Sequence, residues 1–250
     1  FQAEDGIRDS STSRGLGDVY KRQSYNSSGG IGVGNNIFSS NTYFQKFIPG
    51  KTFSISFIAS DSDPVILGFN QLFIVENNTK YPFLHAGAMI IDFEQPYRGY
   101  MLDWIKAITK YYSLTGYISI DFKIFRNNLE ILDINPRLSG SYRLYTRKYK
   151  NLMFHHMKPG DMLDIKSNDY FSYIILYAKN DLVVDKRISS IKDVSDTPNI
   201  GQVIKKDMPI MTLNIRANNQ HNLYKEIKRR IISAMKIIDC YNTQLDYEQY

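Results

Sequence analysis

The sequence predicts an α+β fold: an antiparallel sheet with helices packed on it, a small β region after it and a helix near the end. Three observations predict this. In "FSISFIA", Phe53, Ile55 and Phe57 alternate with small or polar residues, as a half-buried strand requires. In "GYMLDWIKAITKYYSLTG", Leu102, Ile105, Ile108 and Tyr112 recur at helical spacing. Strand and helix patterns then follow each other without the regular rhythm of parallel β-α-β units.

The chain opens "FQAEDGIRDSSTSRGLGDVYKRQ", which is polar and has no apolar period. The DNA of a common sequencing-library primer codes for Gln2 to Asp9, and a transposon-end adapter codes for Ser13 to Gln23. Residues 1–23 are therefore expected to be an adapter-derived, disordered leader, with natural sequence from about Ser24. The glycine-rich loop "SYNSSGGIGVGNN" follows. "TYFQKFIPGKTFSISFIAS" reads as strand, turn and strand, broken at Pro49-Gly50. "PVILGFNQLFIVENN" is expected to be a strand pair closed by Asn77-Asn78. The helix containing Ile105 comes next, with Gly116 as its stop. "YISIDFKIFRNNLEILDINPR" is a hairpin, and "YFSYIILYA" is a buried strand, too short to span a membrane. A "DTPNIG" loop and the strand "MPIMTLNIRA" precede an amphipathic helix striped by Leu223, Ile227, Ile231, Met235 and Ile238.

Composition narrows the function. The net charge of +6 over 250 residues suits an anionic small ligand and does not demand nucleic acid. The single cysteine, Cys240, excludes an internal disulfide framework and suits a reducing, cytoplasmic setting. No Ser/His/Asp set is evident, His155-His156 are adjacent rather than helically spaced, and His85 lies among apolar residues.

The hairpin carries the chemistry. A two-residue loop at Asn127-Asn128 would mix apolar and charged side chains on both faces. A three-residue loop, Arg126 to Asn128, pairs Phe122 with Leu132 and Ile120 with Ile134 on one face. On the other it sets Asp121 opposite Asp133 and Ser119 opposite Asn135. A one-residue slip flips every side chain, so the pattern selects the second register. Facing carboxylates repel unless a positive charge lies between them, and these oxygen donors are of the type Mg²⁺ takes. On the hairpin alone, an ordinary half-buried hairpin with a solvated polar face is the stronger reading. "DINPR" moves the balance, because it sets rigid Pro136 and the Arg137 guanidinium where a phosphate would lie.

These residues resemble the ATP-grasp family, whose metal motif places an Asp on one strand and Glu-x-Asn-Pro-Arg on the next. The resemblance implies that Asp121, Asp133 and Asn135 hold Mg²⁺, with Mn²⁺ as an alternative, against the phosphates of ATP. It also implies that Arg137 assists catalysis. "SSGGIGV" resembles the family's flexible loop, so Ser28, Gly29 and Gly30 are the implied phosphate contacts. "YFQKFIPGKTFS" resembles the hinge strand, which implies that Gln45, Lys46, Phe47 and Ile48 line the adenine pocket. Asp133 stands where the family more often has Glu, and Thr52 where many members have an acid for the ribose.

By this likeness residues 24–150 are a nucleotide- and metal-binding domain, shortened at its start and without the family's phosphate-binding lysine. Residues 151–250 are a C-terminal β region with a helix. "VSDTPNIGQVIKKDMPIMTL" is similar to the tail of ATP-grasp proteins linked with tetrahydromethanopterin one-carbon pathways, with tyramine–glutamate ligases as near relatives. The implied activity is ATP-dependent ligation of a small carboxylate to a small amine through an acyl-phosphate. This chain by itself is expected to be inactive. The expected partners are small molecules, with no nucleic acid and no membrane, and a homodimer is an open option. A non-catalytic nucleotide-binding protein is the alternative. A nucleic-acid binder using Tyr142, Arg143, Tyr145, Arg147 and Tyr149 is the weaker rival.

Overall fold

The computed structural model describes residues 19–22, 31–33, 42–45, 48–61, 63–75, 83–93, 97–126, 128–160 and 163–241, the first three stretches by backbone alone. Strands β1 (Val19–Arg22), β2 (Ile31–Val33) and β3 (Thr42–Gln45) form a small antiparallel sheet with β1 in the middle. Residues 19–22 fall inside the leader expected to lack structure, yet Tyr20 pairs with Gly32 on one side and Phe44 on the other. Backbone N–H and C=O groups pair whatever the side chains are, so strands on both sides suffice to recruit this stretch.

The main sheet is built from β4 (Thr52–Ala59), β5 (Val65–Ile74), β6 (His85–Ile91), β7 (Gly116–Phe125), β8 (Asn128–Asn135) and β9 (Tyr170–Tyr177). Beyond β9 come the short ribbon β10 (Leu182–Val183) with β12 (Val203–Ile204), and two further sheet strands, β11 (Val194–Ser195) and β13 (Pro209–Ala217). The eight sheet strands run in the order β11-β13-β9-β6-β5-β4-β7-β8, and every neighbouring pair is antiparallel. The expected antiparallel α+β architecture is present.

Helices lie on both faces. Helices α1 (Tyr97–Tyr111) and α4 (Gln220–Met235) share one core with Phe53, Ile55, Phe57, Ile118, Ile120 and Phe122 of the sheet. The short helices α2 (Tyr142–Lys148) and α3 (Leu152–Met157) cover the opposite face, where Leu144, Tyr145 and Leu152 pack on Ile58, Leu67 and Tyr117. Burying each such aliphatic or aromatic side chain contributes about 1.5–3 kcal/mol. The second core also buries the polar face of β4, so Ser54 and Ser56 are as enclosed as Phe53, Ile55 and Phe57, which alternate with them. The alternation in "FSISFIA" therefore separates an apolar core from one that mixes apolar and polar side chains, and does not separate core from solvent.

Several sequence expectations are corrected. "PVILGFNQLFIV" does not make a strand pair: β5 runs unbroken through Gly68, and the irregularity opposite Ser56 and Phe57 is absorbed as a bulge. The buried stripe of α1 is Met101, Ile105 and Ile108; Leu102 is half-buried, and Tyr112 lies past the helix end and is exposed. In α4 the stripe ends on buried Ala234, while Met235 is exposed. Asn219 caps this helix, its side chain accepting from the backbone N–H of Asn222 at 2.8 Å. Helix α1 ends through left-handed Ser113 (φ 50°), so Gly116 is not its stop. Gly116 begins β7 at φ 80°, where a Cβ would lie 2.6 Å from the carbonyl oxygen of His156. Among the described residues no helix is long and apolar enough to cross a membrane.

Gly87 sits where β6 meets β9 with φ 139°, and an added Cβ would lie 2.1 Å from the carbonyl oxygen of Tyr173. Gly87→Ala is expected to destabilise the fold by more than about 2 kcal/mol in urea unfolding, because strain and a backbone clash act together.

Candidate functional site

The β7–β8 hairpin closes more tightly than expected. Phe125 pairs with Asn128, and Arg126 takes a left-handed φ of 50°. Phe122 consequently pairs with Ile131, not Leu132. The register then shifts by one residue between Asp121 and Phe122, which leaves Leu132 as the extra residue of a bulge. Past the bulge, Asp121 faces Asp133, Ile120 faces Ile134 and Ser119 faces Asn135, as the hydrophobic pattern requires. The loop length is corrected, and the pairing of the polar residues is as expected.

The polar face extends across four strands. Asn70, Ser54, Asp121 and Asp133 form one row of lateral neighbours from β5 to β8. Ser56, Ser119 and Asn135 form the next. Asp133 is exposed and Asp121 half-buried, while Asn135 is buried. Arg137, just past β8, donates from Nη2 to Asn135 Oδ1 at 3.0 Å, which turns the amide oxygen toward the guanidinium. Two carboxylates and an amide on one edge of a polar face are hard oxygen donors, and they fit a hard divalent cation. Among the described residues no group of three or more His, Cys, Asp or Glu is placed to hold a metal, so any such site here takes an amide into its set.

Beneath these acids lies an enclosed network of hydroxyls. Tyr145 donates to Asn70 Oδ1 at 2.9 Å, and Asn70 Nδ2 donates to Ser54 and Ser56 at 3.1 and 3.2 Å. Tyr117 donates to Ser56 at 2.9 Å and lies 3.0 Å from Ser141, which is 2.8 Å from Ser139. Burial pushes the phenols of Tyr117 and Tyr145 above their ordinary value, so both remain protonated donors at neutral pH. The network ties the Ser139–Ser141 stretch, which follows Arg137, to the centre of the sheet. Ser119 is different: its Oγ is buried and has no hydrogen-bond partner among the described residues.

Before β4, Ile48 is buried and its carbonyl accepts from Lys123 Nζ at 2.6 Å. Burial lowers the Lys123 pKa. Sequence reasoning missed Lys123, although a lysine inside "DFKIF" two residues from Asp121 was the available signal. Lys46 and Phe47 lie outside the described residues, as do Ser28, Gly29 and Gly30, and Gln45 is described by its backbone alone in β3. Thr52 opens β4 half-buried. Asn70 accepts from Tyr145, and Gln71 accepts from Tyr224 of α4.

His85, His155 and His156 are packing residues. His156 Nδ1 accepts from the backbone N–H of Tyr117 at 2.9 Å, and His155 is buried. His85 Nε2 lies 2.9 Å from the Tyr173 hydroxyl, and burial holds the imidazole pKa down to about 4. The cluster offered for nucleic-acid stacking is not a free surface. Tyr145 is fully enclosed, and Tyr149 donates to the Leu67 carbonyl at 3.0 Å.

A family model described as an ATP-grasp domain matches residues 20–141. The chain is 27% identical over 175 residues to the uncharacterized protein MJ0776 of Methanocaldococcus jannaschii, covering 70% of this chain and 42% of that protein. Its fold is similar to N5-carboxyaminoimidazole ribonucleotide synthetase of Thermotoga maritima, with a TM-score of 0.61 at 10% identity over 91% of this chain and 63% of that one. It is also similar to the biotin carboxylase domain of the Hydrogenobacter thermophilus 2-oxoglutarate carboxylase, solved with MgADP, ADP and bicarbonate. That likeness has a TM-score of 0.59 at 13% identity, over 93% of this chain and 59% of that one. The chain thus spans about two fifths of the curated relative and about three fifths of these structures.

The His85 shift has a sign. An imidazole at about 4 in the fold, against 6.5 when free, disfavours folding once the unfolded chain takes up its proton. Stability is therefore expected to fall as pH drops from 6.5 toward about 4, and His85→Gln to lack that component in pH-dependent urea unfolding.

Proposed function

Starting from the ATP-grasp domain matched over residues 20–141, we propose that this chain forms the nucleotide- and metal-binding part of an ATP-dependent carboxylate–amine ligase. The observation that carries this reading is the register that sets Asp121 opposite Asp133 beside Asn135, with Arg137 bonded to that amide.

In this reading Asp121, Asp133 and Asn135 hold Mg²⁺, which neutralises charge on the β- and γ-phosphates. Arg137 is exposed beside the metal ligands and stabilises the phosphoryl group in transfer. A carboxylate oxygen of the substrate attacks the γ-phosphorus and ADP leaves. An amine then attacks the acyl-phosphate carbon, and the products are an amide and phosphate. Ile48, held by Lys123, fixes the start of the base pocket. The hydroxyl network ties the stretch after Arg137 to the sheet. Catalysis by such a site is mostly positioning and electrostatics.

The finer assignment, to one-carbon cofactor synthesis, is supported by the sequence resemblance of the "DTPNIG" region. There Asp196 accepts from Thr212 at 2.8 Å and lies 3.4 Å from Arg143. A second reading, nucleotide binding without turnover, is favoured by Asp133 and Thr52, which stand where the family more often has longer or acidic side chains.

The expected result is Mg²⁺-dependent binding of a non-hydrolysable ATP analogue by calorimetry, weakened about tenfold or more in Asp121→Asn and Asp133→Asn. ADP release with panels of acids and amines separates ligation from bare binding. Analogue binding that is indifferent to Mg²⁺ and to both substitutions would refute the proposed site.

A further inference from the structure

Ser119 occupies an unusual place. It lies on the polar face of β7, two residues before Asp121, with Ser56 on one side and Asn135 on the other. It is 1% exposed, and its Oγ has no hydrogen-bond partner among the described residues. A buried hydroxyl without a partner costs free energy, and native folds seldom leave one in place without a use for it. The hydroxyls on the neighbouring strand, Ser54 and Ser56, are both engaged by Asn70, so among these three serines only Ser119 lacks a partner in the described residues.

Asn135 supplies the other half. It is buried, and its oxygen is fixed by Arg137 at 3.0 Å. A guanidinium only donates, so the oxygen has to face it and the amide nitrogen has to face elsewhere. Residues directly opposite on antiparallel strands have Cβ atoms about 4.5–5.5 Å apart, within reach of a hydroxyl and an amide after a small rotation.

We propose that Ser119 is a positioning residue for Asn135. When a divalent cation is held, the Asn135 amide turns so that Nδ2 donates to Ser119 Oγ and Oδ1 is presented to the metal. The inference rests on the metal reading of Asp121, Asp133 and Asn135. It adds the group that fixes which end of the amide meets the ion, as outer-shell partners of metal ligands do. Without the ion, the hydroxyl waits unpaired.

The two states make opposite demands, and that provides the test. In the metal-free chain Ser119→Ala removes an unpaired buried hydroxyl and should leave the urea midpoint unchanged or raise it. In a Mn²⁺ titration followed by the EPR signal of the free ion, the same substitution should weaken binding by about tenfold. Ser119→Thr, which keeps the hydroxyl, should retain most of the affinity, and Ser119→Val, of the same shape without it, should not. Wild-type-like Mn²⁺ binding by the Ala and Val variants would overturn the inference alone. A lowered urea midpoint for Ser119→Ala without metal would also overturn it, since the hydroxyl would then have a structural partner. Failure of the wild type to bind Mn²⁺ would remove the metal reading and this inference together.

Discussion

Two carboxylates opposite each other on adjacent strands set the terms for the rest of this molecule. Asp121 and Asp133 repel, and a hairpin free to slip would separate them. Here the strand that carries Asp121 is paired on both sides, to β4 and β8, and β4 is itself interior to an eight-stranded antiparallel sheet. Ile118, Ile120 and Phe122 on the reverse side are fully buried. Rotating Asp121 away would expose that apolar row, at a cost well above the repulsion between two partly solvated acids.

The face that carries the acids keeps a buried polar network beside its apolar cluster. Most sheets with helices on both faces bury apolar side chains on each. This one buries Ser54, Ser56, Asn70, Ser119 and the hydroxyl ends of Tyr117 and Tyr145 under α2 and α3. Such a core is economical only when its groups satisfy one another, and around Asn70 both ends of the amide are used. The result is a stiff platform whose geometry is specified by directional bonds, joined to the stretch after Arg137 through Ser139 and Ser141.

Much of this was legible in the sequence because period-two alternation fixes side as well as structure. Ile120, Phe122 and Ile134 against Asp121, Asp133 and Asn135 leave one arrangement of the polar ends, and the structure has it. The turn was misread, because the same pattern fits a three-residue loop with regular pairing or a two-residue loop with a later bulge. Residues near the turn, such as Glu130 opposite Lys123, do not discriminate between them. The role of Lys123 was not legible, since its partner is a backbone carbonyl 75 residues away in sequence. In the helices the period was right and the phase was off by one, as with Met101 for Leu102. Neighbouring apolar residues at the edge of a stripe look alike until the sheet decides which is enclosed.

The bulge at Leu132 has an evolutionary consequence. The hairpin holds one residue more than regular pairing around its turn would use, so the two halves of β8 obey different countings. Losing Leu132 would bring both halves into one counting and leave every polar partner in place. Losing a residue between Asn128 and Ile131 would invert the strand up to the bulge or drag the acids to the wrong side. Length change is therefore cheap at one point in this hairpin and ruinous a few residues away. Drift among homologous hairpins should show gaps at that point while the acids keep their facing positions.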